Sequence, residues 1–417
     1  MAQFIILFED EGFVNLRPLT YNRPVYDLRC GVRLLHEKVK AAYPKAEFGY
    51  HVQECLTELV KQQKGTNKVN GGFGDKALML NGRVIWDSTL TKLISPEGED
   101  HVFYEGDAVV AARLSGENFA NIDWSKPISV TSFLGIASSK VKANIVTYPW
   151  DMVHHNPKQL EIDMASMGCN GAKDGKIYDG VHLLAPERIT VAQGASIKPG
   201  VVLDAEGGPI FIDEGAKIFP QAVIEGPCYV GKKSAIKIAA KIYEGTSIGE
   251  VCKVGGEVEE SIIHSYSNKQ HEGFLGHAYL GMWVNLGADT NNSDLKNDYG
   301  TVTCFINGEP VSTGSQFVGS TIGDHSKTGI NTMLNTGTIV GVCCNIFGSD
   351  FPPKFIPCFS WGGANRMVEY QFDKCMQVAR RVMKRRNMDL TDVEESVFRK
   401  IYEETARKRK DFFVLHQ

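Results

Sequence analysis

The residues between Lys269 and Thr290 carry the side chains best suited to chemistry in this 417-residue sequence. They include two histidines, His271 and His277, and one asparagine, Asn285, among glycines and alanines that let a ligand approach the backbone. An ordinary imidazole titrates near pH ~6.5, so a histidine can accept or donate a proton at neutral pH. The alternative interpretation is that these residues are surface polar groups of an exposed loop without a catalytic role.

A six-residue repeat surrounds this stretch and must position it. Seven aliphatic residues follow a period of six without exception: Ile212, Ile218, Ile224, Val230, Ile236, Ile242 and Ile248. Helices repeat at about 3.6 residues and strands at about 2, so neither element explains the pattern alone. A coil of short strands does, because each strand points one aliphatic side chain inward and residues eighteen apart stack. The pattern predicts a parallel β-helix, with insertions at 257–272 and 290–315 that leave as loops.

The rest of the chain divides around the repeat. Residues 1–150 are predicted to form an α/β domain, 151–185 a linker, 186–363 the β-helix and 364–417 the C-terminal helices. The second C-terminal helix begins with a capping box formed by Thr391 and Glu394. Basic runs at 380–381, 384–386 and 407–409 indicate either phosphate-binding groups or a solvated helix face.

Composition argues against several classes of function. A formal net charge of -4 gives no indication of nucleic-acid binding, and no apolar run reaches the ~18 residues that a membrane-spanning helix needs. The opening apolar run is too short for a signal peptide. Ten cysteines without paired spacing are typical of reduced thiols. We therefore expect a cytoplasmic protein that binds neither nucleic acid nor membrane.

The stretch that begins at His271 resembles the acetyltransferase signature of the bifunctional family that makes UDP-N-acetylglucosamine. The matching residues align without a gap: His271, Leu275, Gly276, Ala278, Asn285, Leu286, Gly287, Ala288 and Thr290. The resemblance implies a left-handed β-helix and acetyl-CoA as the donor. It also implies a sugar phosphate or nucleotide sugar as the acceptor, and sites built between the chains of a homotrimer.

Individual roles follow from the same resemblance. His271 matches the catalytic general base, which takes a proton from a sugar amine or hydroxyl during attack on the thioester. Asn285 matches a substrate-contacting asparagine, and Lys269 and Phe274 are expected to bind substrate beside it. The coenzyme A groove would be lined by Ala288 and Ser320.

This sequence departs from the family at three positions. Phe274 replaces a tyrosine, and His277 replaces an aspartate. The family's phosphate-binding lysine falls on Glu259, and a carboxylate does not bind a phosphate. Either the acceptor differs from glucosamine 1-phosphate or other residues bind its phosphate.

Residues 16–24, Leu-Arg-Pro-Leu-Thr-Tyr-Asn-Arg-Pro, resemble the start of sugar-1-phosphate nucleotidyltransferases. The family's arginine and lysine positions are Asn15 and Val25 here, and the carboxylate of its metal motif is missing at 81–83. The resemblance implies a truncated nucleotidyltransferase-like α/β domain, with Mg²⁺ only if that domain is active. Three arginines are candidate phosphate-binding residues of this domain: Arg17, Arg23 and Arg29.

Several functions stay open at this point. Acyl transfer is the main hypothesis, nucleotidyl transfer to a sugar 1-phosphate is an alternative, and a non-catalytic trimer that binds nucleotide sugars is another. Some β-helix enzymes of the carbonic anhydrase type share a zinc ion between subunits, and His264, His271 and His277 are the available ligands. Residues six apart lie on neighbouring faces of such a coil, so we expect no metal site here.

Overall fold

The computed structural model describes residues 3–415, in which an α/β domain, a parallel β-helix and C-terminal helices follow one another. This order confirms the predicted fold class. The α/β domain contains a six-stranded mixed sheet with the order β2-β1-β3-β5-β4-β6. Its strands are β1 (Phe4–Phe8), β2 (Glu47–Tyr50), β3 (Lys76–Asn81), β4 (His101–Glu105), β5 (Ala108–Ser115) and β6 (Ser138–Lys140).

Eight α-helices accompany the sheets within residues 3–415. They are α1 (Leu35–Ala42), α2 (Thr57–Lys64), α3 (Ser88–Leu93), α4 (Gly116–Ala120), α5 (Pro149–Ser166), α6 (Phe372–Lys384), α7 (Asp392–Glu404) and α8 (Ala406–Leu415). Short 3-10 helices lie at Glu11–Leu16, Val25–Asp27, Glu54–Leu56, Val130–Phe133 and Pro186–Arg188. The predicted capping box is confirmed, because the Thr391 hydroxyl accepts from the Glu394 N–H at the start of α7.

Three parallel sheets form the faces of the β-helix. Face 1 consists of Ile189–Val191, Ile210–Ile212, Cys228–Val230, Thr246–Ile248, Ile262–Ile263, Tyr279–Leu280, Thr321–Ile322, Ile339–Val340 and Phe355–Ile356. Face 2 consists of Lys176–Ile177, Ser196–Ile197, Lys217–Ile218, Ala235–Ile236, Lys253–Val254, Asn268–Lys269, Lys327–Thr328, Asn345–Ile346 and Ser360–Gly362, to which Met367–Glu369 adds antiparallel. Face 3 consists of His182–Leu184, Val202–Asp204, Val223–Glu225, Lys241–Ile242, Glu257–Glu259 and Phe274–Gly276, followed by the pair Asn291–Asn292 and Met333–Leu334.

The six-residue repeat determines the stacking as predicted. Ile212 pairs with Val230, and Val230 pairs with Ile248, each eighteen residues further on along face 1. These side chains are fully buried in the interior of the coil. Burying an aliphatic side chain contributes roughly 1.5–3 kcal/mol, so one residue per strand is enough to hold each turn.

The two predicted insertions have different outcomes. Residues 257–272 are not a loop, because they contain strands of all three faces, and Ile248 stacks on Ile263 only fifteen residues later. The predicted insertion is instead a coil of fifteen residues, which departs from the six-residue period but continues the β-helix. Residues 290–315 do leave the coil, and they contain an antiparallel hairpin of Thr303–Ile306 and Glu309–Ser312.

The predicted linker at 151–185 requires a correction. Helix α5 occupies its first half, and the first β-helix strands occupy its second half at Lys176–Ile177 and His182–Leu184. Pro149 lies in the first turn of this helix, where a proline is tolerated. The β-helix thus begins ten residues before the predicted boundary at 186.

The α/β domain packs directly on face 1 of the β-helix. One apolar core contains Leu28 and Met152 together with Ile262 and Tyr279 of face 1. The Tyr279 hydroxyl accepts from the Arg29 N–H at 2.8 Å, which fixes the two parts against each other. Face 1 is therefore covered, whereas the corner between faces 2 and 3 carries exposed side chains such as Ile238 and Ile330. Within residues 3–415, no helix combines the length and the apolar character needed to cross a membrane.

Candidate functional site

His271 lies at the corner between faces 2 and 3, where the chain leaves the strand Asn268–Lys269 and turns towards Phe274–Gly276. Its side chain is exposed, and within residues 3–415 its imidazole forms no hydrogen bond or ion pair. A ring in this position can exchange a proton with a bound molecule. The register of the β-helix determines the position of His271. Lys269 is the inward-facing residue of the preceding strand, and His271, two residues later, lies in the turn that follows it.

Lys269 holds the backbone of this corner from the inside. It pairs with Val254 in the inward-facing row of face 2 and is only 2% exposed. Its Nζ donates to the carbonyl oxygens of His271 and Gly255, both at 2.9 Å. Burial lowers the pKa of the Lys269 amine to about 8. The structure therefore corrects the expected substrate-binding role, because the amine points into the coil and positions the His271 turn.

Asn285 and Phe274 flank the corner on its two sides. Asn285 lies on the outer surface of face 2, where its Oδ1 accepts from the Asn268 Nδ2 at 3.4 Å. Phe274 begins a strand of face 3 and is half-buried, and its backbone N–H donates to the Asn291 Oδ1. The corner thus has a polar amide on one side and an aromatic ring on the other.

Ala288 belongs to the same corner as His271, whereas Ser320 does not. The next coil stacks on the His271 turn, and the Asp289 N–H donates to the Glu272 carbonyl at 2.9 Å. Ser320 precedes a strand of face 1, at the corner between faces 3 and 1, and is fully buried. A single chain therefore does not bring the two predicted coenzyme-binding residues to one corner.

The three histidines of the zinc hypothesis are not brought together. The His264 Nε2 lies 2.9 Å from the Asp27 carbonyl, in a buried position where burial and the charges of Arg23 and Arg29 lower its pKa. Residues 3–415 contain no group of three or more histidine, cysteine, aspartate or glutamate side chains arranged to hold a metal ion.

The imidazole of His277 forms ion pairs with two carboxylates. Its Nδ1 lies 2.8 Å from Asp294 and its Nε2 lies 3.3 Å from Glu260. Burial acts to lower its pKa, but the hydrogen bonds and charges of Asp294 and Glu260 prevail and raise it to about 9. His277 is therefore a cation at neutral pH, and it is suited neither to a metal ligand nor to a general base.

The three arginines predicted to bind phosphates instead join the α/β domain to the rest of the chain. Arg17 forms an ion pair with Glu404 of α7 at 2.7 Å. Arg29 forms an ion pair with Glu250 at 2.8 Å.

Arg23 forms the third ion pair, with Asp324, and both side chains are buried. A buried guanidinium needs a counter-charge, and the β-helix and α7 supply one for each arginine. Each of the three arginines thus already has a carboxylate partner within the chain, and phosphate binding by them stays a prediction.

A Mg²⁺ ion does not fit the residues at the end of strand β1. The Asp10 carboxylate accepts from both Nε and Nη2 of Arg83, at 2.6 and 2.5 Å, and from the Asn81 Nδ2 at 2.8 Å. A cation therefore already neutralises Asp10. The nearby Glu9 carboxylate is buried and accepts from two backbone N–H groups, and burial raises its pKa to about 7.

Two residues that the sequence did not single out belong to the His271 corner. Asn268 bridges Asn285 and Arg386, since the Arg386 Nη2 donates to the Asn268 Oδ1 at 3.0 Å. Arg386 follows helix α6 and lies in the basic run 384–386. That run was the available signal, but its two meanings could not be separated without the position of α6.

The family model described as sugar nucleotidyl transferase matches residues 5–169. A bifunctional sugar-1-phosphate nucleotidylyltransferase/acetyltransferase from Sulfurisphaera tokodaii is 34% identical over 394 residues, which cover 80% of this chain and 93% of that protein. The bifunctional protein GlmU of Acaryochloris marina is 28% identical over 182 residues, covering 39% of this chain and 36% of that protein. GlmU of Synechococcus sp. strain CC9311 is 25% identical over 240 residues, covering 51% and 49%. The match thus spans between about a third and a half of the length of these two GlmU proteins.

Solved structures of acyltransferases are also similar. A UDP-N-acetylglucosamine acyltransferase is 17% identical, with 56% of this chain and 90% of that chain covered and a TM-score of 0.25. The corresponding enzyme from Francisella novicida is 14% identical, with coverages of 57% and 89% and a TM-score of 0.30.

Proposed function

This chain belongs to the family of bifunctional sugar-1-phosphate nucleotidylyltransferase/acetyltransferases, and we propose that it transfers an acyl group from coenzyme A to a sugar phosphate or nucleotide sugar. The observation that carries the proposal is the corner between faces 2 and 3. There the exposed imidazole of His271, which has no hydrogen-bond or ion-pair partner within residues 3–415, lies between Asn285 and Phe274 and below Ala288. Acetyl-CoA is the proposed donor.

In the proposed reaction, His271 takes the proton of the acceptor's amine or hydroxyl while that group attacks the thioester carbonyl. The new bond to the acyl carbon forms, the carbon–sulfur bond breaks, and the proton passes to the departing thiolate of coenzyme A. A general base of this kind contributes ~10²–10⁴-fold in rate. Lys269 supports the step from inside the coil, since it holds the His271 carbonyl.

The test is acetyl-CoA turnover, measured as release of free thiol, with a panel of sugar phosphates and nucleotide sugars. We expect His271→Ala to lower kcat by about 10²–10⁴-fold. His182→Ala is the matched control, because His182 is also exposed, on face 3, and its imidazole forms no hydrogen bond or ion pair within residues 3–415. Equal turnover in the two variants would remove His271 from the mechanism.

The proposed assembly is a homotrimer whose contacts lie at the open corner. Face 1 is covered by the α/β domain, whereas the corner between faces 2 and 3 carries exposed apolar side chains. Ile238 and Ile330 lie at the corner between them and are 60% and 69% exposed, and Met333 nearby is 38% exposed. Grouped apolar side chains of this kind mark contact surfaces. Such a trimer would place His271 beside a neighbouring chain.

Nucleotidyl transfer to a sugar 1-phosphate is the second candidate function, because the matched family model covers the α/β domain. The geometry of the α/β domain argues against this function, because Asp10 and the three arginines described above already form ion pairs within the protein. An assay for pyrophosphate release with each nucleoside triphosphate and a panel of sugar 1-phosphates decides the matter, and no release with any pair ends this candidate. Ligand binding without either turnover would support the non-catalytic alternative.

A further inference from the structure

Three cations gather beside the His271 corner, and none of them forms an ion pair with a carboxylate within residues 3–415. They are Lys253, Arg385 and Arg386. Lys253 projects from the outer surface of face 2, where it pairs with Asn268, and Asn268 pairs in turn with Asn285. Neighbouring strands are about 4.8 Å apart, so Lys253 and Asn285 are two steps apart on one row.

Arg386 reaches the same row from the C-terminal helices. Its Nη2 donates to the Asn268 Oδ1 at 3.0 Å, and that bond leaves the other guanidinium N–H groups available. Asn268 thus connects Arg386 to Asn285, which is next to the proposed acceptor site.

Lys237, in the coil below, adds to the positive charge around Lys253 but does not face the corner. Its ammonium lies over the ring of Phe219 in the preceding coil, 5.0 Å from the ring centroid. The backbone packs tightly between Lys237 and Gln270, because a Cβ at Gly255 would come within 2.9 Å of the Lys237 Cβ and 2.7 Å of the Gln270 carbonyl oxygen.

The charges in this group repel one another in the free protein. Burial, followed by the charges of Arg386, Lys237 and Arg385, lowers the pKa of Lys253. A bound anion would relieve this repulsion, and arginine and lysine together are the usual phosphate ligands. Glu259 occupies the position of the family's phosphate-binding lysine and faces outward from face 3. Its carboxylate cannot bind a phosphate.

We propose that Lys253 and Arg386 form a phosphate subsite that orients a phosphorylated ligand beside Asn285 and His271. This inference rests on the proposed acyl transfer at His271 and assigns its phosphate recognition to face 2 and the segment after α6. The phosphate belongs either to the acceptor sugar or to coenzyme A, and the experiment separates these two sources.

The experiment measures binding by calorimetry to four probes: coenzyme A, dephospho-coenzyme A, glucose 1-phosphate and inorganic pyrophosphate. We expect Lys253→Gln and Arg386→Gln each to weaken binding of at least one probe by about 10–100-fold, since each removes a charge-assisted contact. Lys217→Gln is the matched control, because Lys217 projects from the same outer row two strands away and also lacks a recorded ion pair within residues 3–415. It should change binding less than about twofold.

The pattern of losses identifies the source of the phosphate. A loss for coenzyme A that dephospho-coenzyme A does not show assigns the subsite to the 3′-phosphate, whereas a loss for glucose 1-phosphate alone assigns it to the acceptor. Unchanged binding of all probes in both variants overturns the proposal, and so does a wild-type protein that binds none of them. If Arg386→Gln lowers the melting temperature, Lys253→Gln decides, because no side-chain hydrogen bond of Lys253 is recorded within residues 3–415.

The outcome for the subsite is separable from that for acyl transfer. Phosphate binding that depends on Lys253, in a protein without acetyl-CoA turnover, retains the subsite and contradicts the proposed function. Turnover that depends on His271 but is indifferent to Lys253 and Arg386 retains the function and contradicts the subsite.

Discussion

Lys269 shows how one charged residue can be fitted into an aliphatic row. It follows Val254 in the inward-facing series of face 2, where the preceding positions all carry isoleucine or valine. Its hydrocarbon stem fills the interior, and its amine reaches the corner, where two carbonyl oxygens accept from it. The charged form is still disfavoured by burial, which lowers the pKa to about 8.

Replacing this lysine should change how stability depends on pH. Because the folded pKa of about 8 is below the ordinary value of 10.5, the unfolded chain binds more protons between these two values. The contribution of Lys269 to the free energy of unfolding therefore rises with pH over that interval, by about 3 kcal/mol. Lys269→Met should lack this rise. The measurement is urea unfolding of wild type and variant at pH values from about 7.5 to about 10.5.

The difference between the two proteins isolates this residue, since buried cysteines and tyrosines titrate equally in both. Lys217→Met serves as control, because Lys217 is exposed on the same face. A wild-type minus variant difference that stays constant with pH would show that the Lys269 amine has its ordinary pKa in the folded protein.

At the scale of elements, His277 fastens the insertion that leaves the β-helix after face 3. It contacts Asp294, near the start of the insertion, and its ring stacks on Phe317, near the end, at a centroid distance of 5.2 Å. Glu260 of the preceding coil binds its other nitrogen. One imidazolium thus joins both ends of the hairpin segment to the coil.

This arrangement predicts a pH-dependent contribution opposite to that of Lys269. The folded pKa of His277, about 9, is above the ordinary 6.5, so its stabilisation is complete below about pH 6.5 and is lost as pH rises through about 9. His277→Gln should lower the free energy of unfolding by about 3 kcal/mol at pH 6, and much less at pH 10. Urea unfolding at the two pH values tests this, with His182→Gln as the exposed control. A loss of the same size at both values would mean that His277 acts through packing and not through its charge.

The sequence predicted the β-helix because its signal is local and repeated. A single inward residue per strand, at a fixed spacing, specifies the stacking of Ile212, Val230 and Ile248 before any long-range contact is known. The same register places His271 at a corner. The six-residue count did not predict the shortened coil, in which Ile263 follows Ile248 by fifteen residues. The same shift places Lys269 in an inward-facing position.

The functions of the arginines could not be predicted in this way. Arg23 and Asp324 are 301 positions apart in sequence, and Arg29 and Glu250 are 221 apart. A local motif specifies an arginine, but it does not specify which distant carboxylate will face it. The packing of the two domains therefore determined these ion pairs, and no local pattern could indicate them.

At the scale of the whole molecule, the α/β domain, face 1 and the C-terminal helices share one core. Leu28 of the first, Tyr279 of the second and Val397 of the third belong to the same cluster of buried side chains. Residues that contact across three parts of the chain lose their packing together when any part unfolds. We therefore expect a single cooperative unfolding transition for these parts.

The buried pair of Arg23 and Asp324 tests this coupling. Asp324→Asn preserves the shape but leaves the guanidinium without a counter-charge, which costs about 3–5 kcal/mol when a buried pair is broken. Glu161→Gln is the matched control, because its pair with Lys158 is exposed and such pairs contribute about 0–1 kcal/mol. Thermal unfolding, followed by far-ultraviolet circular dichroism and by tryptophan fluorescence, should show both signals shifting together in Asp324→Asn. Separate transitions, or a shift no larger than that of the control, would mean that the α/β domain and the β-helix are held together by apolar packing alone.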